Sequence, residues 1–443
     1  MARRFFGTDG VRGHVGQHPM TVGFALRLAS AAARVLAPEG GTALVGKDTR
    51  LSGYMFEAAL EAGFVAAGVD VSLIGPLPTP GIAYLTQKFG CRFGVVISAS
   101  HNLYEDNGIK FFDGEGSKLS DELEERIESY LDDPALTLES NKLGKATRID
   151  KQRVVYQEFC ASTLPRGVDL SGLKIVIDCA NGATYKVAPR VLADCGAEII
   201  PIGCSPNGRN INLRCGSTAP QLLQATVAGV GADVGIALDG DGDRLVMVDQ
   251  RGRAVDGDQL LYVIAADRKA TGELQGPVVG TVMSNLGLEH SLAEMGVPFM
   301  RASVGDRYVL AMLREHGGIL GGETSGHLLC LDRTTTGDGL VSALQVLAVM
   351  KRTGKTLEQL TAGMPLFPQV MINVRSQERI DPSKTPAIQA AVQRVEKALG
   401  STGRVVLRAS GTEPVIRVMV EAREAAVATR CANELADTVR SAV

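Results

Sequence analysis

Three carboxylates at alternate positions, Asp239, Asp241 and Asp243, are separated by Gly240 and Gly242 and followed by Arg244. If the glycines let the backbone curl, the three side chains converge on one hard cation, and carboxylate oxygens are what Mg²⁺ or Ca²⁺ selects. Three like charges packed this closely otherwise repel one another. Burying them without compensation is costly, so a cation site outweighs a solvated acidic turn. An EF-hand is excluded: with Asp239 in the first loop position, the required glycine falls on Arg244 and the required glutamate on Gln250.

A second candidate is Ser100, in Ser98-Ala99-Ser100-His101-Asn102, which follows the apolar run Phe93–Ile97. Such a run reads as a buried strand delivering a hydroxyl into a loop at its carboxyl end, where open α/β sheets place their chemistry. Taken alone, the stretch favours an ordinary strand-end turn. His101 is kept with Ser100 as a candidate catalytic residue, but neighbours in an extended segment point to opposite sides, which places it badly to take the serine proton. No G-x-S-x-G elbow surrounds Ser100 either. A serine beside a divalent-metal site instead indicates phosphoryl transfer, the metal neutralising a phosphate carried on the serine oxygen.

Basic and small residues supply the rest of a phosphate site. Lys110 lies close enough in sequence to return to the same pocket, the alternative being an ordinary surface lysine. Arg408-Ala409-Ser410-Gly411-Thr412-Glu413-Pro414, with Arg417 beyond it, combines guanidinium groups, hydroxyls and a close-approach glycine into a phosphate cradle between two apolar strands. Gly7-Thr8-Asp9-Gly10-Val11-Arg12-Gly13 reads as another small-residue loop carrying a guanidinium. His14, His18, His290 and His316 lack ligand-like spacing and read as structural or surface residues.

These loops require strands to hold them. Residues 21–36 (with Thr21 as N-cap), 52–67 and 80–89 read as helices alternating with strands at 42–46, 69–74 and 93–97, which implies βαβ units in a mainly parallel sheet. The pattern recurs with strands at 174–178, 198–202 and 234–238 and helices at 185–194 and 221–230. It recurs again with strands at 278–282 and 319–320 and a helix at 288–295. After about residue 367, strands at 370–374, 404–408 and 415–420 and a helix at 386–399 suggest an α+β lid. The expected architecture is α/β: three similar mixed or parallel-sheet α/β domains over 1–150 (serine loop), 151–255 (metal loop) and 256–367, and a smaller C-terminal α+β phosphate-binding domain over 368–443.

The 443 residues carry 46 basic and 49 acidic groups, a net charge of -3, with no Lys/Arg-rich run, so nucleic acid and anionic membrane are poor partners. The amino terminus turns polar at Thr8 without a signal-peptide core. No apolar run approaches the ~20 residues of a membrane span. The eight cysteines form no C-x-x-C pair, which speaks against a zinc or thioredoxin-like motif and for reduced, buried thiols in the cytoplasm.

Taken together, Gly7-Thr8-Asp9-Gly10-Val11-Arg12-Gly13, Ile97-Ser98-Ala99-Ser100-His101-Asn102, Asp239-Gly240-Asp241-Gly242-Asp243-Arg244, Gly322-Glu323-Thr324-Ser325-Gly326-His327 and Arg408–Pro414 resemble, end to end and in order, the motifs of the α-D-phosphohexomutases. The resemblance is strongest to members acting on amino sugar phosphates. It implies a phosphoserine at Ser100, required for activity, and one Mg²⁺ per subunit held by Asp239, Asp241, Asp243 and a phosphate oxygen on Ser100. Arg12, Lys110 and Arg244 would surround that phosphate. Glu323 and Ser325 would bond sugar hydroxyls, with His327 near the reacting oxygen, while Arg408, Ser410, Gly411, Thr412 and Arg417 would hold the phosphate that is not reacting. The implied reaction interconverts glucosamine 6-phosphate and glucosamine 1-phosphate through a 1,6-bisphosphate, feeding UDP-N-acetylglucosamine synthesis. A mannose or glucose phosphate mutase on the same scaffold is the alternative. The resemblance also admits a homodimer. Three positions depart from the family pattern: Leu103 stands where proline is usual, which predicts a less rigid serine loop, Thr324 where glutamine is common, and Ser303 where many members have lysine.

Overall fold

The computed structural model describes residues 4–149, 151–375, 382–409 and 415–442. Its first sheet contains β1 (Val11–His14), β2 (Thr42–Lys47), β3 (Asp70–Pro76), β4 (Phe93–Ile97), β5 (Asp106–Asp113) and β6 (Ala146–Arg148), in the order β1-β5-β4-β2-β3-β6. The second contains β7 (Lys174–Asp178), β8 (Glu198–Ile202), β9 (Val234–Leu238), β10 (Leu245–Asp249) and β11 (Ala254–Val255), in the order β11-β10-β9-β7-β8. The third contains β12 (Val278–Thr281), β13 (Phe299–Ala302), β14 (Leu320–Gly322) and β15 (Leu328–Cys330), in the order β13-β12-β14-β15.

One pattern underlies all three sheets. Three parallel strands, β3-β2-β4, β8-β7-β9 and β13-β12-β14, are each followed by an antiparallel return strand, β5, β10 and β15 respectively. The loops expected to carry chemistry therefore join β4 to β5, β9 to β10 and β14 to β15. They are hairpin connections rather than strand-to-helix turns. The return strands Asp106–Asp113 and Leu245–Asp249 are not among the strands expected from sequence; the second follows a loop whose Asp-Gly dipeptides are themselves a hairpin signal, masked by the three aspartates that point so directly to a cation. Residues 7–13 are not wholly the loop that their small residues suggest: Val11–His14 is an edge strand paired with β5, Arg12 opposite Gly108.

The central strands are buried along their whole length at 93–97 and 234–238, as continuous apolar runs require when helices cover both faces of a sheet. Side-chain caps start helices at Thr21, as the sequence predicts, and at Asp256, ahead of a helix not expected from sequence. Thr21 accepts from Phe24 N at the start of Val22–Leu36, and Asp256 forms a capping box with Gln259 at the start of Gly257–Thr271. One apolar core runs from Leu44 and Ile82 through Ile175 and Ile236 to Val278 and Leu344, so the first three units share an interior. Each fully buried Ile, Leu or Val there contributes roughly 1.5–3 kcal/mol.

The last unit has a three-stranded antiparallel sheet, β16 (Gln369–Arg375), β17 (Gly403–Ala409) and β18 (Val415–Ala422), in the order β16-β18-β17. Helices Pro386–Leu399 and Ala425–Ala442 cover it around a separate core, matching the expected α+β unit. Among the described residues, no helix is long and apolar enough to cross a membrane.

Candidate active site

The serine loop is bound from several directions. Ser100 is buried with φ 51°, in the left-handed region that a non-glycine residue rarely occupies. Its amide donates to Ser98 Oγ at 2.9 Å, and Ser98 Oγ donates to Asp48 Oδ2 at 2.6 Å. Its carbonyl accepts from Arg50 Nη2 at 3.0 Å and from Asn212 Nδ2 at 2.8 Å. Arg50, fully buried, also reaches the carbonyls of Asn102, Leu103 and Asp106 and pairs with Asp48 at 2.7 Å. Leu103 stands where proline was usual, and the restraint expected from a proline is supplied here by Arg50 and Asn212. Neither residue carried a sequence signal, because each acts on backbone carbonyls far away in the chain.

Ser100 Oγ donates to Asp239 Oδ2 at 2.7 Å, joining the first motif loop to the second. Its other neighbour is His101 Nδ1, at 3.4 Å. The two side chains share a side because Ser100 is left-handed rather than extended, which corrects the expectation that they point apart. Burial, then Arg244 and Arg12, lower the His101 pKa to about 4, so the ring is neutral.

Carboxylate oxygens of Asp239, Asp241 and Asp243 lie within 4.8 Å of one another, and all three residues are buried. A Cβ at position 240 would stand 2.6 Å from Ser100 O, and Gly242 has φ +76°, so the glycines permit both the close approach and the curl. Burial and the neighbouring Asp243 and Asp241 push Asp239 well above the usual carboxylate range. Asp241 Oδ1 and Asp243 Oδ1 are buried without a hydrogen-bond partner. Three clustered carboxylates, one pushed toward its neutral form by the other two and two of them with an orphaned oxygen, fit a hard divalent cation.

Lys110, on β5, is buried, with Nζ 2.7 Å from Asp241 Oδ2 and 2.8 Å from Asp9 Oδ2. Burial opposes its charge, but Asp241 and Asp9 outweigh burial and raise its pKa. It is not a surface lysine. Thr79 Oγ1 adds a bond to Asp241 Oδ2 at 2.6 Å.

These groups open into a cavity of about 870 Å³ whose wall includes Arg12, His101, Asp243, Arg244, Glu323, Ser325, His327, Arg408 and Arg417. Glu323 Oε1 accepts from Gly305 N at 2.9 Å. Thr324 turns its hydroxyl to the buried Asp258, at 2.7 Å, so it anchors the loop. His327 lies between Asp306, 3.2 Å from Nε2, and Asp243, 3.7 Å from Nδ1. Burial would lower its pKa, but Asp306 and Asp243 raise it to about 10. Arg12 pairs with Asp9. Arg408 and Arg417 are directly opposite in register on β17 and β18, and burial, then Arg417, lower the Arg408 pKa. Two adjacent guanidinium groups in the cavity wall suit an oxyanion. Ser410, Gly411 and Thr412 lie outside the described residues. Ser303 is exposed and is not part of the cavity wall.

The serine on its carboxylate cluster and the arginine pair meet at one cavity, and comparison with known proteins gives the family. The chain belongs to the phosphoglucomutase/phosphomannomutase family: models of α/β/α domains I, II and III match residues 3–136, 156–252 and 256–367, and the C-terminal domain model matches 371–438. Within that family it is similar over its whole length to phosphoglucosamine mutases. That of Methylococcus capsulatus is 57% identical, covering 100% of this chain and 99% of the relative. That of Thiobacillus denitrificans is 56% identical, covering 100% and 98%. Among solved structures, a Burkholderia thailandensis phosphoglucomutase/phosphomannomutase family protein shares the fold at TM-score 0.81 and 24% identity, covering 98% of this chain and 97% of that one. Aspergillus fumigatus N-acetylphosphoglucosamine mutase, solved with GlcNAc-6P and magnesium, does so at TM-score 0.70 and 19% identity, covering 99% and 96%.

Proposed function

We infer that this chain is a cytoplasmic mutase that interconverts glucosamine 6-phosphate and glucosamine 1-phosphate through a phosphoserine at Ser100. The observation that carries the reading is the pairing of Ser100 Oγ with Asp239, at 2.7 Å, directly behind a cavity whose wall includes their chain neighbours His101 and Asp243 together with Arg408 and Arg417. A hexose phosphate has one phosphate to exchange and one to be held, and the cavity offers two kinds of site for them.

In the forward direction, the O1 hydroxyl of the 6-phosphate attacks the phosphoryl group on Ser100. The O1–P bond forms as the P–Oγ bond breaks, the hydroxyl proton is lost and Oγ regains one. His101, beside Oγ, and His327, in the same wall, are the rings we assign to carry those protons. The 1,6-bisphosphate then turns end for end, and its 6-phosphate passes back to Ser100. Arg12, Lys110 and Arg244 surround the transferring group, and Glu323 and Ser325 hydrogen-bond sugar hydroxyls. Arg408 and Arg417 hold the idle phosphate, with Ser410, Gly411 and Thr412 assigned to the same cradle. Because each phosphate occupies that cradle in turn, guanidinium and hydroxyl donors, indifferent to the sugar, serve better than a sugar-specific pocket.

Asp239, Asp241 and Asp243 would hold Mg²⁺ together with the Ser100 phosphate. That ion supplies neutralisation of charge on the transferring phosphoryl group. The test is the ratio of kcat/KM for glucosamine 6-phosphate to that for glucose and mannose phosphates. A ratio above ten supports the amino-sugar assignment, and a preference of ten or more for glucose or mannose phosphate overturns it.

A further inference from the structure

Lys118 lies in the turn after β5, closed by an antiparallel bridge between Phe112 and Lys118. Its side chain is only 12% exposed, with Nζ 2.6 Å from Asp9 Oδ1 and 2.5 Å from Asp306 Oδ2. Both carboxylates have further work. Asp9 holds Lys110 and Arg12, and Asp306, at the start of helix Asp306–His316, holds His327 Nε2. Charges of alternating sign thus run without a break from Asp241 through Lys110, Asp9, Lys118 and Asp306 to His327.

This chain crosses from the first unit to the third, and Lys118 is its crossing point. Asp9, Asp306 and His327 line the cavity, whereas Lys118, buried between the two carboxylates, is not among its lining residues. Without its ammonium, two buried carboxylates face each other with one cation fewer, and like charges in that setting move apart. Asp9 then shifts with Lys110, and Asp306 shifts with His327. Misplacing reacting groups by 1 Å costs on the order of 100-fold in rate. The seam itself has other ties: Arg307 to Asp121 and Glu124, Arg314 Nη2 to Ser117 Oγ at 2.9 Å, and Thr335 Oγ1 to Gly116 O at 2.6 Å. Loss of Lys118 therefore acts on the chain of charges and leaves the two units docked.

We propose that Lys118 is a positioning residue for phosphoryl transfer, holding Lys110 and His327 in mutual register across the seam between the first and third units. The proposal rests on the mutase reading above.

Steady-state kinetics of the full-length protein on its preferred hexose phosphate test it. Lys118→Met is expected to lower kcat about 10- to 100-fold with KM changed less than threefold. Lys118→Arg, which keeps the charge, restores kcat to within about fivefold of the parent, and Arg314→Ala, which cuts another seam contact, leaves both constants unchanged. If thermal denaturation finds Lys118→Met unfolded, Lys118→Gln takes its place with the same expected loss. The proposal is overturned if the uncharged variant keeps kcat within threefold of the parent, if Lys118→Arg does no better than Met or Gln, or if Arg314→Ala loses as much. An inactive parent would instead refute the mutase reading itself.

Discussion

Ser100 Oγ and Asp239 Oδ2 lie 2.7 Å apart, though the two residues are 139 positions apart and belong to hairpin loops of different sheets. This contact makes one site out of two motifs that would each be ordinary alone. Ser100→Ala is expected to abolish mutase turnover and to remove the phosphoryl increment from the intact mass after treatment with a hexose 1,6-bisphosphate. Full activity in that variant would sink the phosphoserine role.

The orphaned oxygens of Asp241 and Asp243 give a metal prediction with a direct readout. Asp241→Asn removes one of three charges, and calorimetric titration with Mg²⁺ should show affinity weakened at least about tenfold, with chelator-treated parent protein as reference. Unchanged affinity would place the ion elsewhere.

Arg50 makes a stability prediction. It is fully buried and spends its donors on Asp48 and on four carbonyls of the serine loop. Arg50→Met leaves Asp48 buried without its cation, a loss of about 3–5 kcal/mol by the usual cost of breaking a buried pair. Denaturant unfolding checks the magnitude, and a loss below about 1 kcal/mol would show that the loop holds itself.

Asp258 gives a pH dependence with a definite sign. Burial, with Asp256 nearby, raises its pKa from 3.8 to about 6. Between those values the folded protein binds a proton that the unfolded chain has released, so this group lowers stability as pH rises through the window and contributes nothing further above it. Asp258→Asn lacks that penalty and can still accept from Asn285 N and from Thr324 Oγ1. Its stability relative to the parent should therefore grow by about 3 kcal/mol between pH 4 and pH 7, since each pKa unit is worth about 1.4 kcal/mol. A pH-independent difference would contradict the assignment.

How much of this was legible beforehand follows from distance along the chain. Asp239, Asp241 and Asp243 declare themselves because one short loop holds all three charges. The strands at 93–97 and 234–238 declare themselves because they are unbroken apolar runs. Arg50, Asn212, Lys118 and Asp306 look like unremarkable polar residues, since contacts that define their roles, Arg50 and Asn212 to Ser100 O and Lys118 to Asp306, span 50, 112 and 188 positions. The direction of His101 is hidden for a different reason: it depends on the left-handed φ of Ser100, and no local residue preference announces that conformation at a serine. Lys110 was recognised from its position near the serine loop, but its burial became visible only when β5 was found to run back along β4, Lys110 opposite Val96.

The repeated hairpin plan has a consequence for how the enzyme can fail. Each unit places its own motif loop correctly on its own sheet, but the reacting groups meet only where the units dock. Catalytic competence is then a property of the docked assembly: a fragment holding only the first unit would present Ser100 to solvent, beyond reach of Asp239. Local opening at any one seam would silence turnover long before the sheets themselves melt. Activity lost on gentle heating should therefore precede the loss of helical signal, and return on cooling.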